Sequence, residues 1–208
     1  MRQHATVPLL IALALAPRSV PAQSAEPDSI VYTITPASRL EVRTAKAGLL
    51  AFAGHEHTIR ARAFVGRIVY YPSRPSASHV TITVPAESLE VLTPPDTEEI
   101  RKVTAAMRTE VLEVERYPEI VFASRGVQKS ADTMHVLGTL MLHGQRRDVP
   151  VVVHVVIDAD TLRASTSFKV KQTAFGMRPY RGGPGGTVRV ADPVTFTIDA
   201  VAVRTATP

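Results

Sequence analysis

Apolar and polar side chains alternate along most of this chain, most cleanly from Gly138 to Ile157, GTLMLHGQRRDVPVVVHVVI. Val136, Gly138, Leu140 and Leu142 fall on one face of a first extended run. Val149, Val151, Val153, Val155 and Ile157 fall on one face of a second. Successive side chains of a strand point to opposite faces, so each run carries one apolar wall. Gly144 supplies the positive φ of a tight reversal, and Gln145 to Asp148 read as a basic, solvated turn. Such a hairpin buries its wall against protein or against a ligand.

Strand-like runs also occupy Ile30–Thr35, Leu40–Ala47, Leu49–Phe52, Ala63–Tyr71, His79–Pro85, Glu119–Arg125, Leu162–Lys171 and Thr187–Arg204. One segment, about residues 96–112, has a different period. Asp96 can cap a helix with Glu99 in capping-box position, and Ile100, Val103, Met107 and Val111 recur at helical spacing. The pattern predicts one amphipathic helix lying on a larger body. About eight to ten strands with a single helical insert make an all-β domain over about residues 27–205, an antiparallel barrel or a sandwich. The inward candidates are mostly Val, Ile, Leu, Ala and Gly. A barrel so lined has room for one small apolar ligand but does not require one.

Composition narrows the chemistry. The chain has 208 residues, 24 Lys+Arg against 19 Asp+Glu, and no Cys or Trp. Arg2, the apolar run Val7–Ala16 and the sequence Val20-Pro21-Ala22 read as a signal peptide over residues 1–22, cleaved near Ala22. Export then requires a fold that stands without disulfides, which a domain of this size can do. Zero Cys excludes thiol catalysis and iron–sulfur clusters. Basic residues are interspersed with acids and lack interleaved aromatics, so nucleic acid is not an expected partner. There is no G-x-S-x-G, and the Gly182–Gly186 cluster lacks the Lys-Ser/Thr of a phosphate-binding loop; it reads as a flexible loop and a candidate gate.

The residues pointed inward are Phe52, Phe64, Phe122, Leu140, Leu142, Val153, Phe168 and Phe175, either as a packed core or as the wall of a cavity. His55 and His57 are two apart on an extended segment, so both imidazoles can face one metal ion; the other reading is a polar pair at a barrel rim. His143, with Arg146 and Arg147 beside it, stands at the hairpin turn, as a solvated turn or as a contact for an anionic headgroup. His79, His135 and His154 alternate with apolar neighbours and read as outward-facing.

Taken in order, several segments resemble the YceI-like family of exported, lipocalin-like barrels. GTLMLHGQRRDVPVVV is similar to the family's GTLTIHG-turn-basic-Pro-Val pattern, ERYPEIVFAS at Glu115–Ser124 to its EKYP-hydrophobic-F-x-S segment, and Phe175-Gly176-Met177 to its FG-hydrophobic turn. Val188 to Ala202 resembles its closing strand. The chain departs from the pattern at Gln145-Arg146, at Asp148, in the displaced Pro150, and in the His-rich Ala53–His57. The resemblance implies a lipocalin-like antiparallel barrel of about eight strands with a helical insert. It also implies a long apolar tunnel holding a polyisoprenoid or prenyl-quinone tail, and no catalytic residues. Headgroup contacts are then expected at the rim from His55, His57, His143 and Arg147. The expectation is a periplasmic, non-enzymatic carrier that needs no cofactor, touches membranes only transiently and is a possible homodimer. The alternatives are a metal-binding stress-response protein using His55 and His57, or a ligand-free structural barrel.

Overall fold

The computed structural model describes residues 29–47, 56–92, 97–182 and 186–205. The signal-peptide segment 1–22, the run Leu49–Phe52 with Phe52, His55, the cap Asp96, and Gly183 to Gly185 of the proposed gate lie outside the described residues.

The main sheet closes on itself. Its strands are β1 (Ile30–Ile34), β2 (Arg39–Arg43), β4 (Thr58–Ala61), β5 (Val65–Tyr70), β6 (His79–Pro85), β7 (Leu89–Val91), β8 (Glu119–Ser130), β9 (Thr133–Leu142), β10 (Gln145–Asp158), β11 (Thr161–Lys171) and β14 (Pro193–Arg204). The order runs β1-β5-β6-β8-β9-β10-β11-β14, and β14 pairs with β1 to complete a ring of eight antiparallel positions. The first three positions are broken strands. β1 and β2 run along the same side of β14, β4 and β5 follow in line, and β6 continues into β7. The other five are single strands of 10 to 14 residues. Closure of β14 on β1 makes the molecule a barrel, not a sandwich, with β7 as the one strand end of the main sheet among the described residues.

Alternation sets the wall. Val149 and Val151 of β10 are buried and Val153 and Val155 half-buried, whereas Pro150, Val152 and Val156 face out. Ile157 is also exposed, so the apolar wall ends one step earlier than the sequence pattern implies. The turn before β10 differs from expectation as well. It consists of His143 (φ 51°) and Gly144 (φ 70°) alone, and Gln145 already pairs with Leu142. Two positive φ values make a type I′ hairpin, whose twist suits the flanking strands, so Gln145–Asp148 belong to the strand. Gly138 has a separate requirement. A Cβ there would run into the end of the Phe122 ring, so the ring packs directly against the glycine backbone.

His143 is buried. Its Nε2 lies 3.1 Å from Oε1 of Glu113, its Nδ1 lies 3.3 Å from the Phe175 carbonyl, and its ring centroid is 4.2 Å from that of Tyr117. Tyr117 in turn covers Gly144. One side chain thereby ties the hairpin, the segment after the helix and the turn after β11 into one knot.

The helical insert is α1 (Thr97–Ala106) continued by one π-helical turn, Met107–Val111. The widened turn shows in the bond from Leu112 N–H to the Met107 carbonyl, five residues back. Ile100, Val103 and Met107 pack with Leu40, Val84, Leu89 and Val91, as the stripe predicts, and the shifted phase sends Val111 toward Leu142 and Val194. A second, three-stranded sheet forms from β12 (Arg181–Gly182), β13 (Val188–Val190) and β3 (Lys46–Ala47). The continuous closing run over Thr187–Arg204 is therefore two strands, separated at Ala191-Asp192.

Asp192 fixes that break. Its carboxylate accepts bonds from the Thr173 N–H and the Thr173 hydroxyl, each 2.8 Å. The backbone bond first, then the hydroxyl and the Lys171 charge, hold its carboxyl below the usual carboxylate range. A depressed folded pKa means that this stabilisation is complete above the ordinary range near pH 4 and is lost as pH falls through the folded value. Asp192→Ala is expected to cost about 1 kcal/mol at neutral pH, as for loss of a capping side chain. In urea unfolding the gap to wild type should close in acid; a gap of equal size at both pH values contradicts the assignment.

Candidate functional site: an apolar shaft through the barrel

Inward-facing side chains from all eight positions leave space between them. A cavity of about 190 Å3 occupies the half of the barrel away from α1. A second of about 130 Å3 lies nearer the helix, and a third of about 310 Å3 opens between α1 and the small sheet. Leu40, Val84, Ile120, Phe196 and Ile198 line both the first and the second. Thr44, Ile59, Met107, Val111 and Gln172 line both the second and the third. The three spaces therefore lie end to end, with Met107 and Val111 of the π turn at the inner side of the mouth.

Polarity is graded along this shaft. The first cavity is walled by apolar side chains, with the hydroxyl-bearing Tyr70, Ser78 and Thr166 and the imidazole of His79 as its polar-bearing residues and no carboxylate. The second adds Glu41, Thr44 and Gln172. Two of these are internally satisfied, because Arg60 Nε donates to Glu41 Oε1 at 2.9 Å and Gln172 Nε2 donates to the Ala191 carbonyl at 2.9 Å. The mouth cavity brings together Thr44, His57, Glu99, Gln172, Tyr180 and Arg189. Such a gradient suits a molecule with a long hydrocarbon body and one hydrogen-bonding end.

The expected wall residues divide. Phe122, Leu140, Val153 and Phe168 line the first cavity and Leu142 the second. Phe168 stacks on Phe196, directly opposite on β14, with centroids 5.1 Å apart. Phe64 packs against two core clusters without lining these cavities. Phe175 is 1% exposed and sits in the packed end of the barrel beneath His143. Of the expected rim residues, His57 is at the mouth, whereas His143 is locked in its buried contacts and Arg147 donates to the Ala174 carbonyl on the outside. His135 and His154 face out as expected. His79 is exposed too, yet it edges the far end of the first cavity. Among the described residues no group of three His, Cys, Asp or Glu is placed to hold a metal ion.

Sequence reasoning overlooked the two alanines that make the shaft wide. Ala164 and Ala200 are direct partners on β11 and β14, and both line the first cavity. Their signal was present in the alternation of both strands, but a search for large apolar groups passes over the smallest ones.

A family model described as the YceI-like domain matches residues 32–202. No curated protein sequence matches the chain. Among solved structures it is similar to BcnA of Burkholderia cenocepacia, with 17% identity and a TM-score of 0.66 over 82% of this chain and 99% of that one. It is also similar to a polyisoprenoid binding domain from Saccharophagus degradans implicated in plant cell wall breakdown, with 13% identity and a TM-score of 0.60 over 84% and 98%. A Campylobacter jejuni YCEI protein shows 16% identity and a TM-score of 0.55 over 72% and 85%. At these identities the likeness is one of fold.

Proposed function

The chain belongs to the YceI-like domain family, and from that premise we propose that it is an exported, periplasmic, non-enzymatic carrier of a prenyl lipid. The tail of a polyisoprenoid or prenyl quinone occupies the shaft, and its polar end lies at the mouth beside His57. Contact with a membrane is transient, at loading and release. The observation that carries the reading is the end-to-end series of cavities, apolar in the body and polar at the mouth. The Saccharophagus degradans structure, named for polyisoprenoid binding, supports the ligand class.

The energetics suit such a guest. An isoprenoid tail has almost no hydrogen-bonding groups, so its affinity comes from burial at roughly 25 cal/mol per Å2 of apolar area. A shaft already formed spares the cost of ordering the site when the ligand arrives. No cofactor is needed for this task.

Organic extraction of purified, unwashed protein followed by mass spectrometry is expected to release a hydrocarbon chain built of five-carbon units. An empty extract, together with failure to take up added polyprenol, ends the reading.

A further inference from the structure

The small sheet beside the mouth contains an unfavourable pairing. Arg181 of β12 and Arg189 of β13 are direct cross-strand partners. Opposed residues of an antiparallel pair share a face, so the register puts two guanidinium groups on one side, an arrangement that weakens the sheet. Both arginines are exposed, and so is Arg178 three residues before β12. Among the described residues none of the three makes an ion pair; Arg189 Nε donates only to the Gly186 carbonyl, at 3.4 Å. On the barrel, by contrast, Arg60, Arg62, Arg116, Arg125 and Arg204 each meet a carboxylate. The stretch Gly176–Val190 contains three arginines and no acid.

The sheet is also two-faced. Val188 and Val190 are half-buried and line the mouth cavity, while Arg189 between them is exposed and reaches the cavity's edge. Tyr180 lines the same cavity and lies against Gly182. A basic outer face, an amphipathic ring and an apolar opening thus adjoin one another. From α1 on the other wall the mouth receives one carboxylate, Glu99.

We propose that this face docks on an anionic phospholipid bilayer. Lipid phosphates sit between Arg181 and Arg189 and relieve their repulsion, and Tyr180 lies at headgroup depth. The mouth is thereby presented to the layer from which a tail can pass. Charge complementarity selects an anionic surface. The apolar opening and the tyrosine beside it select a lipid surface over an acidic protein or a nucleic acid, which offer no hydrocarbon to the opening. The purpose assigned to the face rests on the carrier reading; the face itself rests on the arginines.

The test is cosedimentation of the full chain with vesicles of phosphatidylcholine alone or mixed with phosphatidylglycerol. Wild type is expected to partition onto the phosphatidylglycerol vesicles and to be released by salt. The double substitution R181Q/R189Q should weaken that partition by a factor on the order of ten or more, since each basic residue near an anionic surface contributes about a five-fold gain. It should melt no lower than wild type, because the opposed charges are gone. The conservative pair R181K/R189K should keep the partition. R163Q/K169Q, which removes the same charge from the outer wall on β11, should keep it too. Equal partition onto both vesicle types overturns the proposal, as does equal loss from the two charge-removing pairs. A face meant for an acidic protein or nucleic acid would show no vesicle preference, which overturns it as well. Extraction of the same samples separates this proposal from the carrier reading. An empty protein that still selects phosphatidylglycerol keeps the docking face, and a lipid-loaded one that ignores it does not.

Discussion

On the proposed carrier function, Ala164→Phe is expected to abolish lipid binding while leaving the barrel standing. Ala164 lines the first cavity opposite Ala200, and a phenyl ring there projects into the space the tail requires. In a filled core, such an enlargement forces neighbours off their rotamers and costs about 1–3 kcal/mol. In a hollow shaft the ring has somewhere to go, and the new contacts offset the added bulk. The expected stability change is therefore below about 1 kcal/mol. Extracted lipid per protein should fall at least tenfold, with the thermal midpoint of the lipid-stripped protein nearly unchanged. The reverse pattern, with lipid retained and the fold weakened, would show that Ala164 belongs to packing and that the cavity is not where the tail lies.

The second large effect is on stability alone. His143→Ala removes two hydrogen bonds and the contact with Tyr117 at a buried position, and leaves Glu113 and the Phe175 carbonyl without that partner. The expected cost is about 3 kcal/mol, from one buried bond, one part-buried bond and one ring contact. For a domain of this size that lowers the thermal midpoint by roughly 6–12 °C. His143→Asn separates the turn from the knot. Asn tolerates positive φ and suits a type I′ turn, yet its shorter side chain does not span both partners. A loss close to that of the alanine variant assigns the effect to the knot. A midpoint near wild type would falsify the knot and return His143 to a mere turn residue. Lipid uptake should survive in either variant, because His143 does not line the shaft.

Period-two patterning made β9 to β11 legible because each presents a drier and a wetter face over a long run, whereas β8 is half-buried on both faces in its first half and shifts register between Ser124 and Gly126, so only Glu119–Arg125 of it was read. The same rule gave the side of the sheet on which Phe122, Leu140, Val153 and Phe168 lie. It did not give depth along the barrel axis. Phe64 and Phe175 share the inward direction but end in packed regions, where neighbours fill the space that a cavity would need. Local chemistry misplaced the turn, because Gln145-Arg146-Arg147 looks like a loop by polarity, while two positive φ values at His143 and Gly144 had already completed the reversal. Of the broken strands, β1, β2, β5 and β6 were legible as separate runs, but the four residues of β4 and the three of β7 are too short to show an alternation and were missed. The arginine pair was invisible for another reason. Arg181 and Arg189 become neighbours only through the register of β12 and β13, which no local pattern specifies.

Barrel closure has a consequence for how the molecule comes into being. The seam joins segments far apart in sequence: Tyr32, Thr33 and Ile34 pair with Arg204, Val203 and Ala202, and Thr205 N–H donates to the Val31 carbonyl. A ribosome that has delivered the chain as far as Lys171 has released every long hairpin but not the final stave. Until residues 193–205 arrive, Tyr32 has no partner across the gap and the greasy inner surface lies open. Holdase capture, proteolysis and self-association all have their chance in that interval, and the arrival of the last strand ends it.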